Sequence, residues 1–293
     1  MSEIRLAIKY KPKSRTKKLI SSASTLYVDI IDYPGEWLLD LPLLQMDFRE
    51  WSKTQFEALK GQRGELAQTW LASLENLDLF APLDERVIET LSQEYTQYLH
   101  ACKEHGLHWV QPGRFVLPGD LAGAPVLQFF PCEYDEHKEV PKGSMLAALI
   151  ARYEEYQTKV VKAFYNNHFS LFDRQIVLVD CLQPLNAGYE SFQDMKSALE
   201  QTIASFEYGK SSFLRRLFAP KIDKVLFAAT KADHVTPEQH PNLVSLLQQM
   251  VHPSWQQVAY ENIEMNCVTL ASIQATQSGF IGDGESKVPD SRV

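Results

Sequence analysis

Cysteine is scarce in this 293-residue chain. Its four cysteines, Cys102, Cys132, Cys181 and Cys267, lie far apart with no CxxC pair, which argues against a disulfide framework or a paired-cysteine zinc site. That usage fits a reducing, cytoplasmic setting. Basic charge is also short, with 29 Lys and Arg against 37 Asp and Glu, a formal charge of -8 and a pI near 5.5. Such a balance argues against broad binding of nucleic acid or anionic lipid. No apolar run has the length to cross a bilayer, so no transmembrane segment is expected, and MSEIRLAIKY lacks the build of a signal peptide. What is present, 45% hydrophobic and 11% aromatic residues, suffices for one large core or two modest ones.

The stretch that organises the chain is Thr25 to Trp37, TLYVDIIDYPGEW. An apolar run ends in Asp32 and breaks at once into Pro34, Gly35 and Glu36. Strands apolar on both faces belong to parallel sheets buried between helices, and ligands gather at their carboxyl ends. An aspartate there suits a water-mediated hold on Mg²⁺, and the Gly35 amide can come close to a terminal phosphate.

Ser2 to Tyr10 reads as a further strand, joined to the first through the basic turn Lys9 to Lys18. From Trp37 to about Phe172 the periodicity is helical, over Leu38 to Leu59, Leu66 to Leu79, Asp84 to His105 and Ser144 to Phe169. Between the last two, QPGRFVLPGDLAGAPVLQFFP predicts a loop or small hairpin. Apolar strands follow at Arg174 to Leu182, Asp223 to Thr230 and Glu264 to Ala271. Helices lie between them at Tyr189 to Phe206 and Pro237 to Val251, with Thr236 placed as an N-cap. Strands alternating with helices predict an α/β fold, a largely parallel sheet with helices on both faces. The expected division is 1–36 with 173–278 as the α/β core, 37–172 as a mainly helical insertion and 279–293 as a flexible tail.

Thr230 to Asp233, Thr-Lys-Ala-Asp, closes a buried strand. A carboxylate at Asp233 can accept two hydrogen bonds from the N1–H and 2-amino group of guanine, while the stem of Lys231 lies along base and ribose. Adenine has no such donors. In order, the chain reads strand, DxPG, helical stretch, strand, helix, strand, TKxD, helix, strand, ASxxA. This is the order of a Ras-like GTPase from its second strand onward. Ala271 and Ser272 then fall where that fold offers backbone amides to guanine O6.

TLYVDIIDYPGEWLLDLP, KEHGLHWVQPGRFVLPGDLAGAP, FDRQIVLVDCLQPLN and KVLFAATKADHVT together resemble the YcjX family of GTP-binding P-loop proteins, bacterial proteins associated with stress responses. The resemblance implies GTP and GDP with Mg²⁺ as ligands, and GTP hydrolysis by the full-length form. It also implies an upstream strand and GxxxxGK[ST] loop before Ser2, so the core is expected to be incomplete and weak in nucleotide binding. Ala204 to Ser211, ASFEYGKS, formally fits a relaxed phosphate loop. It ends a helix instead of opening one, and Gly209 reads as a C-cap.

Glu36 occupies the position from which Ras-like enzymes orient water with a glutamine; it equally suits a first helical turn. Its charge beside a γ-phosphate calls for Mg²⁺ or an arginine, and Arg49, Arg63, Arg114 and Arg174 are candidates. His100, Cys102, His105 and His108 do not share one helical face, which points away from a metal site. Asp180 reads as structural before it reads as a crevice residue. Two other functions fit parts of the sequence. One is a non-enzymatic interaction module binding a protein partner through the helical stretch. The other is phosphotransfer with Asp32 as nucleophile, which lacks the neighbouring acidic residue and threonine it needs.

Overall fold

The computed structural model describes residues 1–11, 23–205, 222–259, 263–273, 277–281 and 288–292. Among the described residues, seven strands fall into three sheets. β1 (Ser2–Tyr10) and β2 (Ser24–Asp32) pair antiparallel, with Ser2 opposite Asp32. β3 (Arg174–Val179), β4 (Lys224–Ala229) and β5 (Glu264–Thr269) form a parallel sheet in that order. β6 (Gln277–Ile281) and β7 (Val288–Arg292) pair antiparallel where a flexible tail was expected.

β2 therefore departs from expectation. It lies outside the parallel sheet, and its side chains are largely exposed, including Leu26, Tyr27 and Ile30. The register explains how the parallel sheet is covered. Val225, Phe227, Val179 and Met265 face the core, whereas Ile176, Leu178 and Val268 on the opposite face are exposed. The described helices thus cover one face of this sheet, not both. Much of the Lys9 to Lys18 turn and the part of ASFEYGKS after Ser205, with Gly209, lie outside the described residues.

Between Phe48 and Asn167 the regular elements are helices joined by loops. They include α1 (Phe48–Glu57), α2 (Gln62–Leu66), α3 (Gln68–Leu74), α4 (Glu85–Glu104), α5 (Gly113–Val116), α6 (Met145–Tyr156) and α7 (Lys162–Asn167). The run expected as one helix from Leu38 is broken. A 3-10 segment, Gly35–Gln45, contains Pro42, which cannot donate to a helical ladder, and α1 restarts at Asp47. Asp47 and Glu50 form a reciprocal capping box, Glu50 N–H to Asp47 Oδ1 at 2.8 Å and Asp47 N–H to Glu50 Oε2 at 3.0 Å. Asp84 caps α4 through the amides of Arg86 and Val87. α4 buries Ile88, Leu91, Tyr95, Leu99 and Cys102, the spacing of one helical face. The stretch that read as a loop or small hairpin holds α5 and two 3-10 turns.

An aromatic cluster fills this region. Trp51 stacks on Tyr153 at 5.1 Å, Trp70 meets Tyr95 at 4.9 Å, and Phe115 meets Phe129 edge to face at 4.9 Å. The core continues without a break into α8 (Leu182–Ala187), α9 (Tyr189–Ser205) and α10 (His240–Ala259). Thr236 precedes a 3-10 turn, but its side chain makes no capping bond and its hydroxyl is buried without a partner among the described residues.

Candidate functional site

The carboxyl ends of the parallel strands are stitched together by backbone bonds. Thr230 N–H donates to the Val179 carbonyl at 2.9 Å, tying the end of β4 to that of β3. Leu270 N–H donates to Ala229 O at 2.8 Å, and Ala232 N–H to Leu270 O at 3.2 Å. The Thr230 to Asp233 turn and the Ala271–Ser272 stretch are therefore neighbours, although 38 positions separate Asp233 from Ala271. Lys231 has φ 57°, a left-handed backbone that residues with a side chain seldom adopt and that clusters at ligand-holding turns. Asp233 is half-buried, and Ala271 and Ser272 are exposed beside it.

Lys231 is not extended along an open crevice. Its Nζ lies 2.6 Å from Asp180 Oδ2. Asp180 also accepts the amides of Leu182 and Gln183 at 3.2 Å each. Burial pushes this carboxyl up, but the Lys231 bond and the two amides outweigh it and hold it below the usual carboxylate range. Asp180 thus both opens α8 and positions the lysine.

The end of β2 forms the second cluster. Asp32 is exposed and makes no ion pair among the described residues. Tyr33 anchors the strand end by donating to Gln175 Oε1 at 3.0 Å, its ring stacked on Phe172. At Gly35 the place of a Cβ is open, with nothing within 4 Å, so a ligand can approach the backbone. Glu36 pairs with Lys103 at the end of α4, Oε1 to Nζ at 2.6 Å. Neither Lys103 nor this pairing was signalled by the sequence.

Behind Glu36 the segment is clamped. The Gly113 N–H donates to Asp40 Oδ1 at 2.7 Å, the Arg114 N–H to Oδ2 at 3.3 Å and the Tyr156 hydroxyl to Oδ2 at 2.5 Å. The guanidinium of Arg114 lies 3.2 Å from the centroid of the Trp37 ring. Burial raises the Asp40 pKa to about 7, against the pull of Tyr156 and the two amides. A carboxyl raised in the folded state contributes stability that is complete below its unfolded pKa of about 4 and is lost as pH rises through about 7. Urea unfolding of wild type and Asp40→Asn across pH 4 to 8 is expected to show the wild-type advantage shrinking over that window and level above it. A constant difference across the range would contradict the assignment.

Asp194, also without a sequence signal, is the hub between helical region and α9. Its Oδ2 accepts the amides of His108 at 2.5 Å and Trp109 at 2.8 Å, and its Oδ1 accepts Arg63 at 2.6 and 3.0 Å. His108 Nε2 is enclosed with no hydrogen-bond partner among the described residues. Burial pushes the His108 pKa down, while Asp194, Asp180 and Glu36 pull it up and Lys103 lowers it. His108 therefore lies within the electrostatic reach of both clusters.

The candidate arginines are all committed. Arg49 pairs with Glu136, Arg63 with Asp194 and Arg174 with Asp223, while Arg114 stacks on Trp37. His100 and Cys102 lie on α4 and His105 caps its end, apart from His108 in the following loop. No group of three His, Cys, Asp or Glu side chains able to hold a metal occurs among the described residues. A lone exposed carboxylate such as Asp32 is still a donor set that Mg²⁺ accepts when phosphates and water complete its shell. No described helix is long and apolar enough to cross a membrane.

Parallel strands with helices packed on them define an α/β protein, and in open sheets of that kind ligands gather outside the carboxyl ends of the strands. The chain belongs to the YcjX-like family, DUF463, which matches residues 1–291. It is 53% identical over 295 residues to the Ras-like GTPase YcjX of Escherichia coli (strain K12), covering 99% of this chain and 63% of that protein. It is 44% identical over 296 residues to the Ras-like GTPase YcjX of Shewanella oneidensis (strain ATCC 700550 / JCM 31522 / CIP 106686 / LMG 19005 / NCIMB 14063 / MR-1), covering 98% of this chain and 61% of that protein. The chain thus spans less than two thirds of the length of both relatives.

Proposed function

We propose that this is a guanine-nucleotide-binding protein whose complete form hydrolyses GTP in a stress-related role, with residues 37–172 as a helical insertion in a Ras-like core. The observation that carries the reading is the Ala232 N–H to Leu270 O bond, which unites the TKAD turn with the Ala271–Ser272 stretch. Asp233 accepts the guanine N1–H and 2-amino group, the backbone at Ala271 and Ser272 meets O6, and Thr230 and Lys231 flank the base. Asp32 holds Mg²⁺ through water, and the Gly35 amide meets the γ-phosphate. Mg²⁺ supplies charge neutralisation on the phosphates.

Two further features support a larger core. Among the described residues the apolar Ile176 and Leu178 of β3, and Leu26 and Ile30 of β2, are exposed, and both strands have an unpaired edge. These are surfaces that a further strand and its phosphate loop would cover. The 293 residues alone are accordingly expected to bind nucleotide weakly or not at all; nanomolar to low-micromolar GDP binding by them in calorimetry would contradict this.

The test of function is Mg²⁺-dependent phosphate release by the complete protein, from GTP and not ATP. Gly35→Ala is expected to leave thermal stability unchanged, since the added methyl meets nothing. It should lower GTP affinity relative to GDP by on the order of tenfold or more, through the lost approach to the γ-phosphate. Equal effects on GTP and GDP would place Gly35 away from that phosphate. Absence of hydrolysis alongside capture of a specific protein partner by the helical region would favour the interaction-module reading.

A further inference from the structure

Lys103 stands in the last turn of α4, where the carbonyl end of a helix favours a cation. Its contact with Glu36 is set apart from ordinary surface pairs by what surrounds it. The Glu36 main chain is pinned: a Cβ on Gly113 would lie 2.0 Å from the Glu36 carbonyl oxygen, so the two backbones are in direct contact. With the backbone fixed, Lys103 sets where the carboxylate points. Both side chains remain reachable, 43% exposed for Lys103 and 22% for Glu36. Among the described residues, the four candidate arginines are held elsewhere and Lys231 is held by Asp180.

Resting on the GTP-hydrolysis reading above, we propose that Lys103 is the positioning residue of the hydrolytic step. It offsets the charge of Glu36 beside the triphosphate and holds that carboxylate toward the attacking water. The water oxygen bonds to the γ-phosphorus as the bond from that phosphorus to its bridging oxygen breaks, the electron pair leaving on the β-phosphate of GDP. The water proton passes through Glu36 to the inorganic phosphate. The helical region thereby contributes a cation to the chemistry.

The test is steady-state GTP hydrolysis, with GDP affinity and thermal midpoint, for the complete protein carrying Lys103→Met, Lys103→Arg, Glu36→Gln and the Lys103→Met/Glu36→Gln pair. Lys103→Met is expected to lower kcat by on the order of tenfold to a hundredfold, with KM and GDP affinity within about twofold. Lys103→Arg should recover most of the rate. In the Glu36→Gln background, where no carboxylate charge needs offsetting, Lys103→Met should cost less than about threefold. The same loss in both backgrounds, or none in the wild-type background, would overturn the role of Lys103 while leaving GTP hydrolysis standing. A wild-type protein that hydrolyses no GTP would defeat the underlying reading and this one with it.

Discussion

Gly113→Ala is expected to unfold the protein at a temperature lower than wild type by roughly 6–10 °C, a destabilisation of about 3 kcal/mol in a chain of this size. A methyl group there meets the carbonyl oxygen of Glu36 at 2.0 Å and its carbonyl carbon at 2.6 Å. Neither is a flexible side-chain end, so the 3-10 segment or α5 must move as a body. Relief by moving α5 would also pull the Gly113 N–H from Asp40 and leave a buried carboxyl short of a donor. The effect should reach beyond stability, because the displaced segment carries Glu36 and Gly35. Differential scanning calorimetry reads the first consequence. An alanine variant with an unchanged midpoint would show that the two backbones are not in contact.

Asp233→Asn carries the largest expected functional effect. On the proposed reading the carboxylate accepts from two guanine donors, whereas the asparagine amide presents an N–H₂ to one of them, leaving that donor unpaired and opposed. A site built to pair a polar group rejects a partner that cannot do so by large factors, and GDP affinity should fall by on the order of 10²–10⁴-fold. Xanthine carries a carbonyl where guanine has its 2-amino group, and that carbonyl can accept from the new amide. XDP binding should therefore rise as GDP binding falls. Loss of both nucleotides, or of neither, would remove Asp233 from base recognition.

The sequence made the local chemistry of these segments legible and their long-range pairing illegible. Asp32 ending an apolar run before Pro34 and Gly35, and Asp84 ahead of the α4 pattern, are signals within a few residues, and both elements end or start where those residues stand. Pro42 and the Asp47/Glu50 box were also in view, and should have divided the run from Leu38 to Leu59; its apolar residues outweighed them. The sheet to which β2 belongs is different in kind. Apolar residues on both faces suggested a buried parallel strand, but which edge it meets depends on partners distant in sequence. Glu36 and Lys103 are 67 positions apart, and Asp194 reaches Arg63 across 131. Nothing near Lys103 or Asp194 marks it from other helical charges. Asp40 did carry a signal, an acidic residue inside WLLDLP, since a carboxyl in such a run must find donors.

On the reading proposed above, the turn bearing Lys231 and Asp233, joined to the Ala271–Ser272 stretch, selects guanine. Parallel calorimetric titrations of the complete protein with GDP and ADP in Mg²⁺ decide this. Low-micromolar or tighter binding of GDP is expected, with none measurable for ADP; equal affinities, or binding of ADP alone, would rule out guanine selection by this turn.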